Sequence, residues 1–321
     1  MKILLTGGAG FIGSHLAHAL IERPDVALVQ VLDNLSTGSR DNIADLEGDP
    51  RFRFVEGDIR DWDTCRSACT GMDLVCHQAG LGSVPRSIKD PLTSNEVNIG
   101  GTLQIFEAAR QAGIRRVVYA SSSSVFGDHP ALPKVEEQTG SPLTPYAVTK
   151  LVAELYAGVF ALNYGMEFIG LRYFNVFGPR QNPDGPYAAV VPRFVDAVLS
   201  NEPPLINGDG LYSRDFTFVG NAVEANLLAL TTTNPEALNQ VYNIGVGQRA
   251  CLNDLLETIK ELAGSDLVPQ YGPVRPGDVA HSLADIGKAG RLLGYRPTVN
   301  LREGLKITLE WYRRHHRFGY A

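Results

Sequence analysis

The stretch Lys2-Ile3-Leu4-Leu5-Thr6-Gly7-Gly8-Ala9-Gly10-Phe11-Ile12-Gly13 decides the fold of this chain. A short apolar run enters a glycine cluster, and Phe11, Ile12, Leu16, Ala19 and Leu20 then recur at helical spacing. A second apolar run, residues 27–32, ends at Asp33. Strand, glycine turn, helix and strand make a βαβ unit of about 30 residues, whose crossover requires parallel strands.

Outward from this unit the alternation continues. Strands are expected at 52–56, 74–77, 116–120 and 167–171, with helices at 61–69, 95–111 and 145–163 between them. Such alternation predicts an α/β fold, a doubly wound parallel sheet. Thr144 suits an N-cap with Pro145 at the first helical position, and Gly113 suits the residue just past a helix end. After Arg172 proline and glycine become frequent, which predicts a smaller, loop-rich region over the carboxyl ends of the strands. The expected division is 1–172 for the nucleotide-binding part, joined by a late strand near 241–244, and 173–321 mainly for substrate. The helices near 95–111 and 145–163 are apolar on more than one face, which fits a deep core or a subunit interface.

The chain has 321 residues, 44% hydrophobic and 20% charged, with net charge −6. That balance suits a globular core and argues against a general nucleic-acid binder. No secretory signal and no apolar run of about 18 residues is seen, so no membrane span is expected and the cytoplasm is the expected location. Cys65 and Cys69 sit at i,i+4, but no second pair at ligand spacing accompanies them. Free thiols are expected, and no metal site.

Gly7, Gly10 and Gly13 form a G-x-x-G-x-x-G turn. Glycine there permits a sharp turn, a close approach to a pyrophosphate and tight helix–strand packing. The helix N-terminus then offers N–H groups to the phosphates. The motif is weak alone; the strand before it, the helix after it and Asp33 ending the next strand strengthen it. A carboxylate at Asp33 accepts from adenine ribose hydroxyls and repels a 2′-phosphate. No arginine follows in Asn34-Leu35-Ser36-Thr37-Gly38, so NAD is expected rather than NADP. Asp58 lies just past a strand and could bond the adenine amino group or cap the next helix.

Tyr146 and Lys150 lie one helical turn apart. A phenol is a poor base at neutral pH, and a nearby ammonium together with a positive nicotinamide ring favours the phenolate. The serine run 121–124 ends the strand before that helix, so its hydroxyls can hold a reacting hydroxyl against the tyrosine; the plainer reading is a self-satisfied turn.

These features together resemble the extended short-chain dehydrogenase/reductase family. The matching stretches are Thr6–Gly13, Asp33, Gly57-Asp58, His77-Gln78-Ala79, the serine run, Tyr146/Lys150 and residues 171–178. Residues 81–87, 127–130 and 277–285 are similar to bacterial UDP-N-acetylglucosamine 4-epimerases of surface-polysaccharide synthesis. The resemblance implies an NAD-dependent isomerase that inverts carbon 4 of a UDP-hexose through a 4-keto sugar, preferring UDP-GlcNAc and UDP-GalNAc. It implies Tyr146 as base, Lys150 as its electrostatic partner and Ser122 as hydroxyl partner. Around the cofactor it places Gly7, Gly10, Phe11, Ile12, Asp33, Asn34, Ser36, Thr37, Gly38, Asp58, Ile59, Gln78, Ala79 and Tyr173, with Tyr146 and Lys150. Around the substrate it places Ser83, Arg86, Ser123, Ser124, Asn175, Val190, Leu205, Asn207, Arg214, Arg275 and Ser282. Arg214 and Arg275 would hold the diphosphate. Related epimerases carry a bulky residue at the Ser282 position, and serine leaves room for a 2-acetamido group. A homodimer through the helices near 95–111 and 145–163 is implied as well.

One departure is Gly80, where the family commonly has alanine. The rival readings are a UDP-glucose or UDP-glucuronate 4-epimerase or decarboxylase on the same fold, and a non-catalytic NAD-sensing regulator. A 4,6-dehydratase is disfavoured, because family members carry Asp and Glu where this chain continues its serine run.

Overall fold

The structure, a computed structural model, describes residues 1–184, 188–274 and 279–315. Seven parallel strands form the central sheet: β1 (Lys2–Thr6), β2 (Leu28–Asp33), β3 (Phe52–Glu56), β4 (Leu74–His77), β5 (Arg116–Ser122), β6 (Glu167–Tyr173) and β7 (Gln240–Ile244). Their spatial order is β7-β6-β5-β4-β1-β2-β3. The late strand β7 pairs in parallel with β6, Tyr242 against Leu171. The chain leaves β1 toward one edge and returns to β4 on its other side, so the connections diverge there and open a crevice at the strands' carboxyl ends.

Alternate residues along each strand feed opposite faces. Ile3, Leu5, Val29, Val31, Ile169 and Leu171 pack with α1 (Phe11–Ile21) and a later helix, Val219–Thr231. Leu4, Leu32, Val75, Val117, Tyr119 and Phe168 pack with α2 (Trp62–Cys69), α3 (Thr102–Gln111) and α4 (Pro145–Tyr164). A third apolar cluster, including Phe177, Phe194, Phe218, Leu255 and Leu309, lies in the part of the chain after β6. With helices on both faces, each central strand is apolar on both sides, which is why β1 reads as a continuous run.

Three departures from the sequence reading have physical causes. The helix expected at 95–111 is composite: an α-turn Pro91–Asn95, a π-helical stretch Glu96–Gly101, then α3. Within the π stretch the Asn98 amide turns inward, accepts from Leu81 N (2.8 Å) and donates to Leu81 O (3.2 Å) and Thr149 Oγ1 (3.1 Å). Next, β5 and β6 each run two residues longer than their apolar content suggests, because Ser121 pairs with Arg172 and Ser122 with Tyr173. Finally, the cap of α2 is Asp61, which accepts from Thr64 N (2.7 Å), so Asp58 does not cap it.

Thr144 caps α4 through Ala147 N, with Pro145 following, and Gly113 takes φ +76 after α3. Cys65, Cys69 and Cys76 are buried free thiols, and burial pushes each up to about 12. Among the described residues no cluster of three or more His, Cys, Asp or Glu is placed to hold a metal, and no helix is long and apolar enough to cross a membrane.

Candidate active site

The crevice deepens into a cavity of about 540 Å³ running from the glycine turn to Ser282. At one end stands the N-terminus of α1: its cap Gly10 makes no side-chain bond, and Gly10, Phe11, Ile12 and Gly13 line the cavity. The other glycines are set by chain packing. A Cβ on Gly13 would stand 2.0 Å from Gly7 O, and one on Gly7, at φ +70, would stand 2.6 Å from Ala79 N. Gly38 is of this kind too: its Cβ would meet the Ala9 carbonyl at 2.6 Å. It packs against the back of the turn, while its neighbours Ser36 and Thr37 line the cavity.

Asp33 is buried and pins the turn, accepting from Ala9 N (2.9 Å) with Oδ2 and from Leu35 N (2.8 Å) with Oδ1. Each oxygen retains acceptor capacity. Asn34 donates to Asp58 Oδ2 (2.9 Å), and Arg60 grips the same carboxylate, holding it down at about 2. Phe11, Ile12, Ser36, Thr37, Ile59 and Ala79 also line this end. Its floor is stitched by side chains of the matching stretches together with Thr102, which the sequence reading passed over. Ala79 N donates to Thr6 Oγ1 (3.2 Å), which pairs with His77 Nδ1 (2.7 Å), and His77 Nε2 meets Thr102 Oγ1 (2.9 Å). Burial holds the imidazole down at about 3, so it is neutral.

Gln78 and Tyr173 line the wall and close a ring with Asn226, which no motif had marked. Tyr173 Oη donates to Gln78 Oε1 (3.0 Å), Asn226 Nδ2 donates to Tyr173 Oη (2.7 Å), and Gln78 Nε2 donates to Asn226 Oδ1 (3.0 Å). An asparagine inside an apolar helical run was its signal in the sequence.

Tyr146 and Lys150 sit on successive turns of α4, facing the end of β5. Lys150 Nζ donates to Ala120 O (2.9 Å) and stands 5.9 Å from the centre of the Tyr146 ring. Burial lowers this ammonium to about 8, against the pull of Glu154. Burial raises the Tyr146 phenol above its ordinary 10, and a hydrogen bond with Ser122 opposes the rise. Lys150, expected together with the nicotinamide ring to favour the phenolate, works against that burial. Its ammonium is aimed at a carbonyl, and burial dominates the phenol. Gly80 lies beside this pair; a methyl there would stand 3.1 Å from Asn98 Oδ1 and 3.7 Å from Lys150 Nζ.

Beyond Tyr146 the wall turns polar. Ser122 Oγ accepts from Ser124 N (3.1 Å), and Ser123 and Ser124 line the cavity. The Ser124 hydroxyl is buried and has no hydrogen-bond partner among the described residues. Such an orphan is costly unless a ligand satisfies it. Asn175 holds φ +34, an unusual state for a side-chain-bearing residue, and donates to Asp215 O (3.3 Å). Arg214 Nη1 donates to Ser213 O and Ala280 O (3.0 Å each), and Ser282 N donates to Ser213 O (3.0 Å). Asn175, Arg214 and Ser282 all line the cavity. Beneath them Asp215 accepts from Val246 N, Gly247 N and Ala284 N at 2.8–3.2 Å, tying three loops together; burial pushes it up to about 6. Lys134, unmarked by the sequence reading, also lines the wall and donates to His129 O.

Several expected substrate residues stand outside that lining. Ser83 caps the short helix Val84–Lys89, and its hydroxyl accepts from Arg86 N (3.3 Å), so Leu81, Gly82 and Val84 line the cavity in place of Ser83 and Arg86. Val190 opens a helix whose preceding residue, Ala189, faces the cavity instead. Leu205 and Asn207 belong to a small strand paired with Gln270–Gly272, and Leu205 is exposed. Arg275, with Gly277-Asp278 of the motif, lies outside the described residues.

The sequence profile of the NAD dependent epimerase/dehydratase family matches residues 3–245. The chain is 38% identical over 315 residues to the UDP-glucose 4-epimerase of Mycolicibacterium smegmatis, covering 98% of this chain and 99% of that one. The UDP-glucose 4-epimerase of Thermotoga maritima, solved with UDP-glucose, superposes with a TM-score of 0.92 at 38% identity, covering 99% of this chain and all (100%) of that one. The UDP-N-acetylglucosamine 4-epimerase of Methanobrevibacter ruminantium, in complex with UDP-N-acetylmuramic acid, also gives 0.92 at 38% identity, with 98% of each chain covered.

Proposed function

We propose that this chain, which belongs to the NAD dependent epimerase/dehydratase family, inverts carbon 4 of UDP-hexoses with a preference for UDP-GlcNAc and UDP-GalNAc. It is an NAD-dependent enzyme of the UDP-sugar 4-epimerase family. The observation that carries the finer reading is the wall itself: an unpartnered Ser124 hydroxyl near Tyr146, and a small side chain, Ser282, in the same cavity.

The cradle fits NAD. An uncapped helix N-terminus faces the cavity, Gly7 and Gly13 let it close on the strand, and Asp33 keeps acceptor capacity at the ribose end. NAD bound in this cradle would supply reversible oxidation at carbon 4 and the positive charge of its nicotinamide ring. The chain's own groups do the rest. Tyr146 takes the proton of the 4-hydroxyl and returns it once the sugar has turned. Lys150 stays a cation against the Ala120 carbonyl, and Ser122 shares the phenol's hydrogen bond. Arg214 and Arg275 hold the diphosphate and Asn175 bonds the substrate, so binding energy sits away from the sugar and leaves it free to turn.

Incubation with UDP-GlcNAc, UDP-Glc and UDP-GlcA, with products resolved by NMR, tests this. We expect the highest kcat/KM on the acetylated sugar. Ser282→Tyr should lower kcat/KM for UDP-GlcNAc by roughly 10–100-fold and leave UDP-Glc within about 3-fold. Equal losses on both would remove Ser282 from the selection of the sugar.

The same reading includes a homodimer. Val148, Leu155, Val159 and Leu162 form an exposed apolar stripe on α4, Leu162 at 85% exposure. Just before residue 95, Ile88 and Leu92, the latter 76% exposed, are also open to solvent, whereas no large apolar residue of 95–111 is. A stripe of this kind favours a matching helix from a second copy. Leu155→Glu combined with Leu162→Glu should halve the mass seen in sedimentation; a wild type that sediments as a monomer ends the dimer reading.

A further inference from the structure

Three successive turns of α4 face the last residues of β5. Tyr146 meets Ser122, Lys150 Nζ meets Ala120 O (2.9 Å), and one turn on, Glu154 Oε1 accepts from the Ser121 hydroxyl (2.5 Å). The chemistry above uses the first two contacts and leaves the third unexplained. Glu154 is buried and forked by Arg172, with Nε to Oε1 at 2.9 Å and Nη2 to Oε2 at 2.7 Å. Arg172 lies on β6 opposite Ser121 of β5 and Asn243 of β7. Its Nη1 donates to Glu136 O (2.8 Å), and Asn243 N donates to Glu136 Oε1 (2.9 Å). A polar row thus crosses three strands at one level, one residue behind the Ser122 hydroxyl.

A paired guanidinium and carboxylate lock each other in plane as well as in distance. A buried pair of this kind adds little net stability over well-packed apolar groups, so stability alone does not account for its place. We propose that Glu154 is a positioning residue for the reaction: held by Arg172, its carboxylate fixes the Ser121–Ser122 end of β5 and supplies the negative charge that keeps Lys150 a cation at the Ala120 carbonyl. This rests on the epimerase reading for its substrate, but not for its measurement.

The charged and titratable groups around the pair are Tyr146 on α4, Tyr119 on β5, Arg172 on β6, neutral His77 on β4, and Glu136 and Glu137 from the segment before α4, the last paired with Lys288. Glu154 is the carboxylate among them that favours protonated Lys150, and burial opposes it. Removing its charge therefore lets Lys150 lose its proton at lower pH.

The test uses the NAD-bound enzyme. In Glu154→Gln the alkaline limb of kcat should move down by about one pH unit or more, with KM within about 3-fold. The Lys150 titration, followed by NMR of isotopically labelled lysine, should move by the same amount and needs no turnover. The double variant Glu154→Gln/Arg172→Met leaves no unpaired ion, so it reports if the single variant fails to fold, and it should show the shift. Should Glu154→Gln or the double variant lose thermal stability while Lys150 titrates as in the wild type, Glu154 is a fold element and the proposal is overturned. A wild type inactive on every UDP-sugar defeats the epimerase reading, and the lysine titration still decides this one.

Discussion

Tyr146→Phe is expected to lower kcat by about 10³-fold while the protein folds normally and still binds NAD. Only the hydroxyl is removed. The ring stays packed at the start of α4, and Lys150 keeps its bond to Ala120 O. What goes is the one phenol that meets Ser122 in the cavity. General acid–base groups contribute roughly 10²–10⁴-fold, and no neighbouring group can substitute: His77 is buried and neutral, and Lys150 is already committed as a cation. The measurement is kcat on UDP-GlcNAc, with NAD content and melting temperature as controls. Turnover near the wild-type rate would strip the tyrosine of its role.

Gly13→Ala should be the second severe change, and through a different route. A methyl there would stand 2.0 Å from Gly7 O and 2.8 Å from Gly7 C and Gly8 Cα, all backbone atoms that no rotamer change can move aside. The start of α1 must shift away from the turn that Asp33 pins through Ala9 N. Overpacking of this kind costs about 1–3 kcal/mol of stability. The shift also withdraws the first-turn N–H groups from the cavity, so NAD affinity should fall by at least ~100-fold. NAD titration by calorimetry and a thermal melt check both effects. Near-normal affinity would mean that the helix N-terminus does not hold the pyrophosphate.

The two variants divide the site by the range of the interactions that build it. Gly13 acts within a few residues of the chain, and Tyr146 acts with a lysine one helical turn away. Interactions that short leave a spacing in the sequence, and spacing is what the glycine turn and the tyrosine–lysine pair displayed. The lysine's effect on the phenol was harder to read. Its direction depends on burial and on where Nζ points, and both are set by Ala120 on another element. Asn226 had no motif, and the partners that tie it and His77 to other elements stand 25 to 150 residues away in sequence. Ser83 and Gly38, inside matching stretches, are also occupied locally, Ser83 in capping a helix and Gly38 in backing the turn.

By itself, the sequence determined the βαβ start, the parallel sheet with helices between its strands, the acid at the end of the second strand, and a phenol and an amine on one helix face. Each follows from periodicity or from contacts within a turn or two. Only the tertiary structure decided that Ser121, Glu154 and Arg172 meet behind the phenol, that Asn98 bends its helix to reach Leu81 and Thr149, and that Ser282 shares a wall with Arg214 and Tyr146. Those meetings depend on strand order and register, which are fixed when the whole core packs, and no local spacing carries them.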